Sequence, residues 1–174
     1  MISKVTENLY IGEYTDIIGQ TPEETELRLK QIKALGIEHV ISLCSQGIED
    51  SQIINEAETF KANAQGNNST RICLHHQPVP VDRNFAGRGD LFKVGLELAL
   101  NEINTILLRE PNAKIIVHCT AGIDRSPFVV ASYLVRGCGL DLADAYREIK
   151  KARPCVCEHP EWIWWPKTNS SWTC

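Results

Sequence analysis

Ile115-Ile-Val-His-Cys-Thr-Ala-Gly-Ile-Asp-Arg-Ser126 is the stretch that decides how this chain folds. Its apolar start, Ile115 to Val117, predicts a buried strand ending at His118-Cys119. A tight loop through Gly122 leads to Arg125-Ser126. Pro127 and the apolar segment 128–135 then predict a helix with Pro in its first turn, where a missing N–H costs nothing. One cysteine and one arginine, separated by five residues, therefore bracket a loop between a strand end and a helix start. Backbone N–H groups in such a loop point inward and the helix dipole is positive there, which makes an anion site. A thiol in that field ionises more readily, so Cys119 is the candidate nucleophile. Arg125 adds a planar, permanently charged fork suited to two phosphate oxygens. These residue types in this order imply phosphate-ester chemistry.

Working outward, strand and helix signals alternate. Residues 8–12 predict a short strand. Thr21-Pro22-Glu23-Glu24 reads as a capping box with Pro at the first helical position. It opens a helix with Leu27, Ile32 and Leu35 along one face and Gly36 as its stop. Residues 37–44 predict the next strand, 51–64 a weaker helix, 65–70 a polar loop and 71–76 a strand. After a turn-rich connection over 77–82, residues 91–108 predict a long helix with Phe92, Leu96, Ala99, Ile103 and Ile106 at helical spacing. Residues 142–152 predict another helix, stopped at Arg153-Pro154. This alternation implies an α/β fold, a mostly parallel central sheet flanked by helices, with ligands at the carboxyl ends of strands.

His118-Cys119-x5-Arg125-Ser126 resembles the signature loop of cysteine-dependent protein tyrosine phosphatases, in particular the dual-specificity phosphatase branch. The likeness spans roughly residues 5–160. The resemblance implies that Cys119 attacks phosphorus, that the loop from Thr120 through Ala121, Gly122, Ile123 and Asp124 to Arg125 binds the phosphate, and that Ser126 donates to the Cys119 sulfur. An acid must protonate the leaving oxygen. Asp82, in the loop after Pro80-Val81, is preferred over Asp90, whose place at the start of the long helix suits an N-cap. In the family the acid precedes a helix aromatic, a relation that Phe92 holds to Asp82, although the spacing from Phe92 to Cys119 is longer than usual. His118 is either a residue that orders the loop and supports the thiolate or a core histidine. Cys44 matches a position where some relatives carry a cysteine that pairs reversibly with the nucleophile; a buried small residue is the other reading.

The expected substrates are phosphoproteins bearing phosphotyrosine, phosphoserine or phosphothreonine, or a small phosphomonoester. Asp124 departs from the small or neutral residue usual in dual-specificity loops and resembles the ending of some phosphoinositide and inositol phosphate phosphatase loops. Those loops often carry lysine, however, whereas Thr120 and Ile123 are not basic. A phosphoinositide phosphatase and a catalytically silent phosphate-binding module remain as alternatives. No cofactor is required, and no metal either, because the histidines are scattered and no carboxylate cluster has ligand spacing. Cys155-Val-Cys157-Glu-His159 lacks a matching second pair.

The remaining features set the frame. A length of 174 residues suits one phosphatase domain over 1–160 plus a Trp-rich C-terminal tail over 161–174, with Trp162, Trp164, Trp165 and Trp172. Packing of these aromatics over the last helix competes with a glycan, membrane or partner surface. A net charge of −4 gives no general support to nucleic-acid binding. Met1-Ile-Ser-Lys4 begins no apolar segment, so no signal peptide or transmembrane segment is expected. Seven irregularly spaced cysteines argue against a disulfide framework and for a reducing, cytoplasmic setting.

Overall fold

The computed structural model describes residues 1–47, 49–65, 71–80 and 90–162. Five strands, β1 (Ser3–Lys4), β2 (Leu9–Glu13), β3 (His39–Ser42), β4 (Cys73–His76) and β5 (Ile115–Cys119), form one sheet in the order β1-β2-β5-β3-β4. The β2–β5, β5–β3 and β3–β4 pairs are parallel, and β1 alone runs antiparallel, to β2. The expected mostly parallel α/β sheet is therefore present. The helices are α1 (Tyr14–Ile17), α2 (Pro22–Ala34), α3 (Asp50–Gln65), α4 (Asp90–Arg109), α5 (Arg125–Cys138) and α6 (Leu142–Ala152), followed by a 3₁₀ turn, Pro160–Trp162. The short β1 and α1 left no clear periodicity to read.

Strand side chains alternate between faces, and both faces of this sheet are buried. Leu9, Ile11, Ile41, Ile115 and Val117 face one core, with Phe92, Leu96 and Ile103 of α4 and Phe128 of α5. Tyr10, Val40 and Ile116 face the other, with Leu29 and Ile32 of α2 and Phe60 of α3. Continuous apolar strands follow directly from this two-sided burial.

The N-terminal cap of α2 forms in part as the sequence implies. Thr21 accepts from the Glu24 N–H at 3.2 Å, with Pro22 beginning the helix. The return arm of the box is displaced, because the Glu24 carboxylate accepts from the Gln20 N–H rather than from Thr21. The inward face of α2 differs from expectation. Leu29 and Ile32 are buried, while Leu27 is 54% exposed and Leu35 39% exposed. Leu27 lies five positions before Ile32, about 140° around a helix, so the two cannot share one buried stripe.

Cys44, Cys73, Cys119, Cys155 and Cys157 are free thiols. Cys138 is disulfide-bonded, which departs from a wholly reduced set. Among the described residues no helix is long and apolar enough to cross a membrane.

Candidate active site

The sheet order places the center strand, β5, between β2 and β3, and its register sets the site. Cys119 lies beside Glu13 of β2, and His118 beside both Gly12 of β2 and Ser42 of β3. The chain then turns through Thr120–Asp124 into α5, which begins at Arg125. Cys119 is buried at the bottom of this loop. Its Sγ accepts from the Gly122 N–H at 3.3 Å and sits 3.5 Å from the Ser126 Oγ.

The loop is shaped from outside. Four successive carbonyls are held by donors beyond it. Tyr14 N–H donates to the Thr120 oxygen at 3.1 Å, Arg153 Nη2 to Ala121 at 3.3 Å, Arg153 Nε to Gly122 at 2.8 Å, and Cys157 N–H to Ile123 at 3.1 Å. A peptide's N–H points away from its carbonyl, so tying the oxygens outward turns the amides toward the sulfur. Gly122 has φ of +66°, a conformation that costs L side chains but not glycine. A Cβ there would also meet the Gly12 carbonyl oxygen and Arg153 Nη2, each at 2.7 Å.

Arg125 is held as firmly as the loop. Its Nη1 and Nη2 donate to the two oxygens of Glu49 at 2.9 and 2.6 Å, a bidentate fork-to-fork pair. Nη1 also donates to the Leu43 carbonyl at 3.2 Å and Nη2 to Thr120 Oγ1 at 3.2 Å. Thr120 Oγ1 and the Ser45 N–H both donate to the Glu49 carboxylate as well. Burial alone would raise the Glu49 carboxyl, but these bonds from Arg125, Thr120 and Ser45 outweigh it and hold it at about 2. Burial opposes the charge of Arg125 too, and its pairing with Glu49 reverses the balance in favour of the cation.

Beneath the loop, His118 is fully buried and its Nε2 lies 3.0 Å from Oε1 of Glu56, itself 1% exposed. The other Glu56 oxygen accepts from Ser42 Oγ at 2.7 Å. The scattered histidines of the sequence are thus not all isolated: Cys44, Glu56 and His118 converge, with donor atoms within 4.8 Å of one another. Cys44 is buried, its thiol points to Gln52 Oε1 at 3.6 Å, and burial, then Glu56 and Glu49, push it up to about 12.

Asp124 stands at the N-cap of α5, where its side chain makes no capping hydrogen bond. Its carboxylate pairs with His159 Nε2 at 2.8 Å, and the His159 ring stacks on Trp162 with centroids 3.9 Å apart. Asp82 lies outside the described residues. Asp90 opens α4. Trp162 is buried against Phe92 and Phe128, while Trp164, Trp165 and Trp172 fall outside the described residues.

Cys119, Ser126, Arg125 and the five residues between Cys119 and Arg125 lie together where β5 passes into α5, with His118 directly beneath. Glu49, Glu56, Arg153 and His159 had no signal in the sequence. Each reaches the site from a distant segment, and Arg153-Pro154 read only as a helix stop.

Comparison with known proteins agrees with this geometry. The family described as dual specificity phosphatase, catalytic domain, matches residues 18–165. Tyrosine-protein phosphatase vhp-1 of Caenorhabditis elegans is 27% identical over 156 residues, 89% of this chain but only 19% of that protein. Human dual specificity protein phosphatase 5 is 33% identical over 84 residues, 48% of this chain and 20% of the relative. The chain thus spans about a fifth of the length of these relatives. The fold is shared with the human tyrosine phosphatase-like serine/threonine/tyrosine-interacting protein, with a TM-score of 0.64 and 19% identity over 91% of this chain and 88% of that one. It is shared also with human DUSP28, with a TM-score of 0.60 and 20% identity over 91% of this chain and 85% of that one.

Proposed function

This chain belongs to the dual specificity phosphatase catalytic-domain family, and from that premise we propose that it hydrolyses phosphomonoesters of phosphoproteins through a cysteinyl-phosphate intermediate. The observation that carries the reading is the loop itself. A buried sulfur sits under an inward-turned amide, Gly122 N–H, and beside Ser126 Oγ, with the Arg125 guanidinium fixed across the loop.

In the first step the Cys119 thiolate attacks phosphorus in line while the loop amides and Arg125 stabilise the equatorial oxygens. The ester oxygen leaves with a proton from Asp82. In the second step Asp82, now a base, takes a proton from water as it attacks the cysteinyl phosphate, and Ser126 Oγ–H stabilises the departing sulfur. Glu49 acts as a positioning residue by setting the plane of the Arg125 fork. Thr120 and Ile123 contribute no cation and Asp124 is directed to His159, so nothing in the loop is built for a polyphosphorylated inositol headgroup. The silent-module alternative is not favoured either, because the nucleophile and the arginine are both in place. A reducing, cytoplasmic setting suits a free Cys119. Disulfide formation between Cys44 and Cys119 on oxidation is a separate proposal, tested by mapping a linked peptide; a thiol pushed up to about 12 makes Cys44 a slow partner.

Hydrolysis of an aryl phosphate by the wild type, Cys119→Ser and Asp82→Asn, in reducing buffer with chelator, tests the mechanism. Activity should survive chelation and vanish in Cys119→Ser. Asp82→Asn should lose about 100-fold or more on substrates with poor leaving groups, and less on aryl phosphates. Wild-type protein that binds vanadate yet turns over nothing would overturn the enzyme reading.

A further inference from the structure

We propose that Cys44, Glu56 and His118 form a buried Zn2+ site beneath the signature loop. The three residues come from β5, α3 and the segment just after β3, and their side chains face a common point in the core. All three are essentially excluded from solvent, with exposures of 0%, 1% and 0% in that order. Their Sγ, carboxylate oxygen and ring nitrogen lie within 4.8 Å of one another. Tetrahedral zinc bonds of about 2.0–2.3 Å need donors roughly 3.3–3.8 Å apart, so small side-chain rotations close the set.

The second observation is what these atoms lack. Glu56 Oε1 and both ring nitrogens of His118 are buried, and among the described residues none has a hydrogen-bond partner. Oε1 and Nε2 are close, at 3.0 Å, but out of line for a hydrogen bond. Buried polar atoms left this way cost free energy, and three on one spot is unusual in a core. Glu56 Oε2, by contrast, is satisfied by Ser42 Oγ–H, which fixes the carboxylate and leaves Oε1 to point into the cluster.

The charges close as well. A thiolate, a carboxylate and a neutral imidazole carry two negative charges, which Zn2+ cancels in a region where uncompensated charge is costly. Without a cation Cys44 is a free, buried thiol that carries its proton. Binding therefore forms a Zn–S bond and releases that proton to solvent, with no redox change. Gln52, half-buried, spans from Cys44 to Thr120 Oγ1 and is the layer between the cluster and the loop mouth. His118 is bonded directly to Cys119, so a cation held here fixes the strand end from which the nucleophile projects. This site stands independently of the phosphatase reading.

The test uses the full chain carrying Cys119→Ser, which removes the active-site thiol as a rival ligand. Zn2+ binding is measured by equilibrium dialysis, and Co2+ is used as a spectroscopic probe for thiolate ligation. One Zn2+ per chain and a thiolate-to-cobalt charge-transfer band are expected. Adding Cys44→Ala should abolish the band and weaken Zn2+ binding by at least about 100-fold, the loss of one of three protein ligands. Glu56→Gln, which keeps the side chain's shape, should weaken binding in the same direction and serves if Cys44→Ala melts. Absence of tight binding in the Cys119→Ser protein overturns the proposal. So does a band that survives Cys44→Ala, which would place the cation on Cys155, Cys157 and His159 instead.

Discussion

At the scale of single residues, the most informative pair is one no motif names. Glu49 reaches Arg125 from 76 positions away and takes both terminal nitrogens. Glu49→Gln keeps the shape but removes the charge that aligns the fork. We expect kcat/KM to fall about 10–100-fold, the usual consequence of a small misplacement of a binding group. The pair should also be visible in stability. The carboxyl is held at about 2 against an ordinary value of 4.5, so the native state binds its proton less readily than the unfolded chain does. The stabilisation is fully present above the ordinary value and is lost as pH falls from there through about 2. Melting curves of wild type and Glu49→Gln should differ by a constant amount near neutral pH and converge below about pH 4. A gap that stays constant to pH 3 would mean that Glu49 acts by packing rather than charge. Cys119, Arg125 and Ser126 were legible because their chemistry is contiguous in sequence. Glu49, Glu56 and His159 were not, because one sequence carries no record of which distant carboxylates and imidazoles meet.

At the scale of elements, the loop owes its shape to neighbours more than to its own residues. Arg153 is 7% exposed, and its guanidinium binds the carbonyls of Ala121 and Gly122 and also the Met1 carbonyl at 2.7 Å. Arg153→Ala leaves the buried Gly122 carbonyl without this donor, at about 1–3 kcal/mol for a group fully desolvated, and releases the more exposed Ala121 and Met1 carbonyls to solvent. It also frees two amides to turn away from the sulfur, so turnover should fall more than substrate affinity. Lysine cannot reproduce the planar fork, and Arg153→Lys should recover stability better than activity. If Arg153→Lys restored full turnover, charge rather than carbonyl geometry would be the operative feature. Gly122→Ala makes the complementary point. Its φ of +66° and the 2.7 Å approach to the Gly12 carbonyl oxygen leave no room for a Cβ, so the loop must shift. A loss of activity much larger than the loss in melting temperature is expected, since the strain falls on the loop and not on the core. The sequence did show where strand, loop and helix begin, through an apolar run, a glycine and an early proline. It did not show that a helix stop at Arg153-Pro154 doubles as the loop's outer anchor.

At the scale of the whole molecule, two cores on either side of one sheet bring α4, α5 and the 3₁₀ turn into register with the site. The alternation of strand and helix signals was enough to imply this layering, because parallel strands buried on both faces read as continuous apolar runs. Pairing order was not legible, since β5, the fifth strand in sequence, sits in the middle of the sheet. Nor was the role of Trp162, which the sequence grouped with a tail. Its ring is 3% exposed and packs edge-on against Phe92 of α4 and Phe128 of α5, at 5.4 and 5.2 Å between centroids. The same indole carries the stacked His159 that holds Asp124, so one residue joins the core of two helices to the end of the signature loop. Trp162→Ala should therefore cost about 3–5 kcal/mol of stability, as for other buried tryptophans. His159→Ala should cost much less stability, since it removes the link to Asp124 but leaves the aromatic packing. Comparing the two by denaturant unfolding and by aryl phosphate turnover separates the effects. Trp162→Ala should lower both. His159→Ala should lower turnover with little change in unfolding midpoint, and equal unfolding losses in the two variants would place the contribution in the stacked imidazole instead.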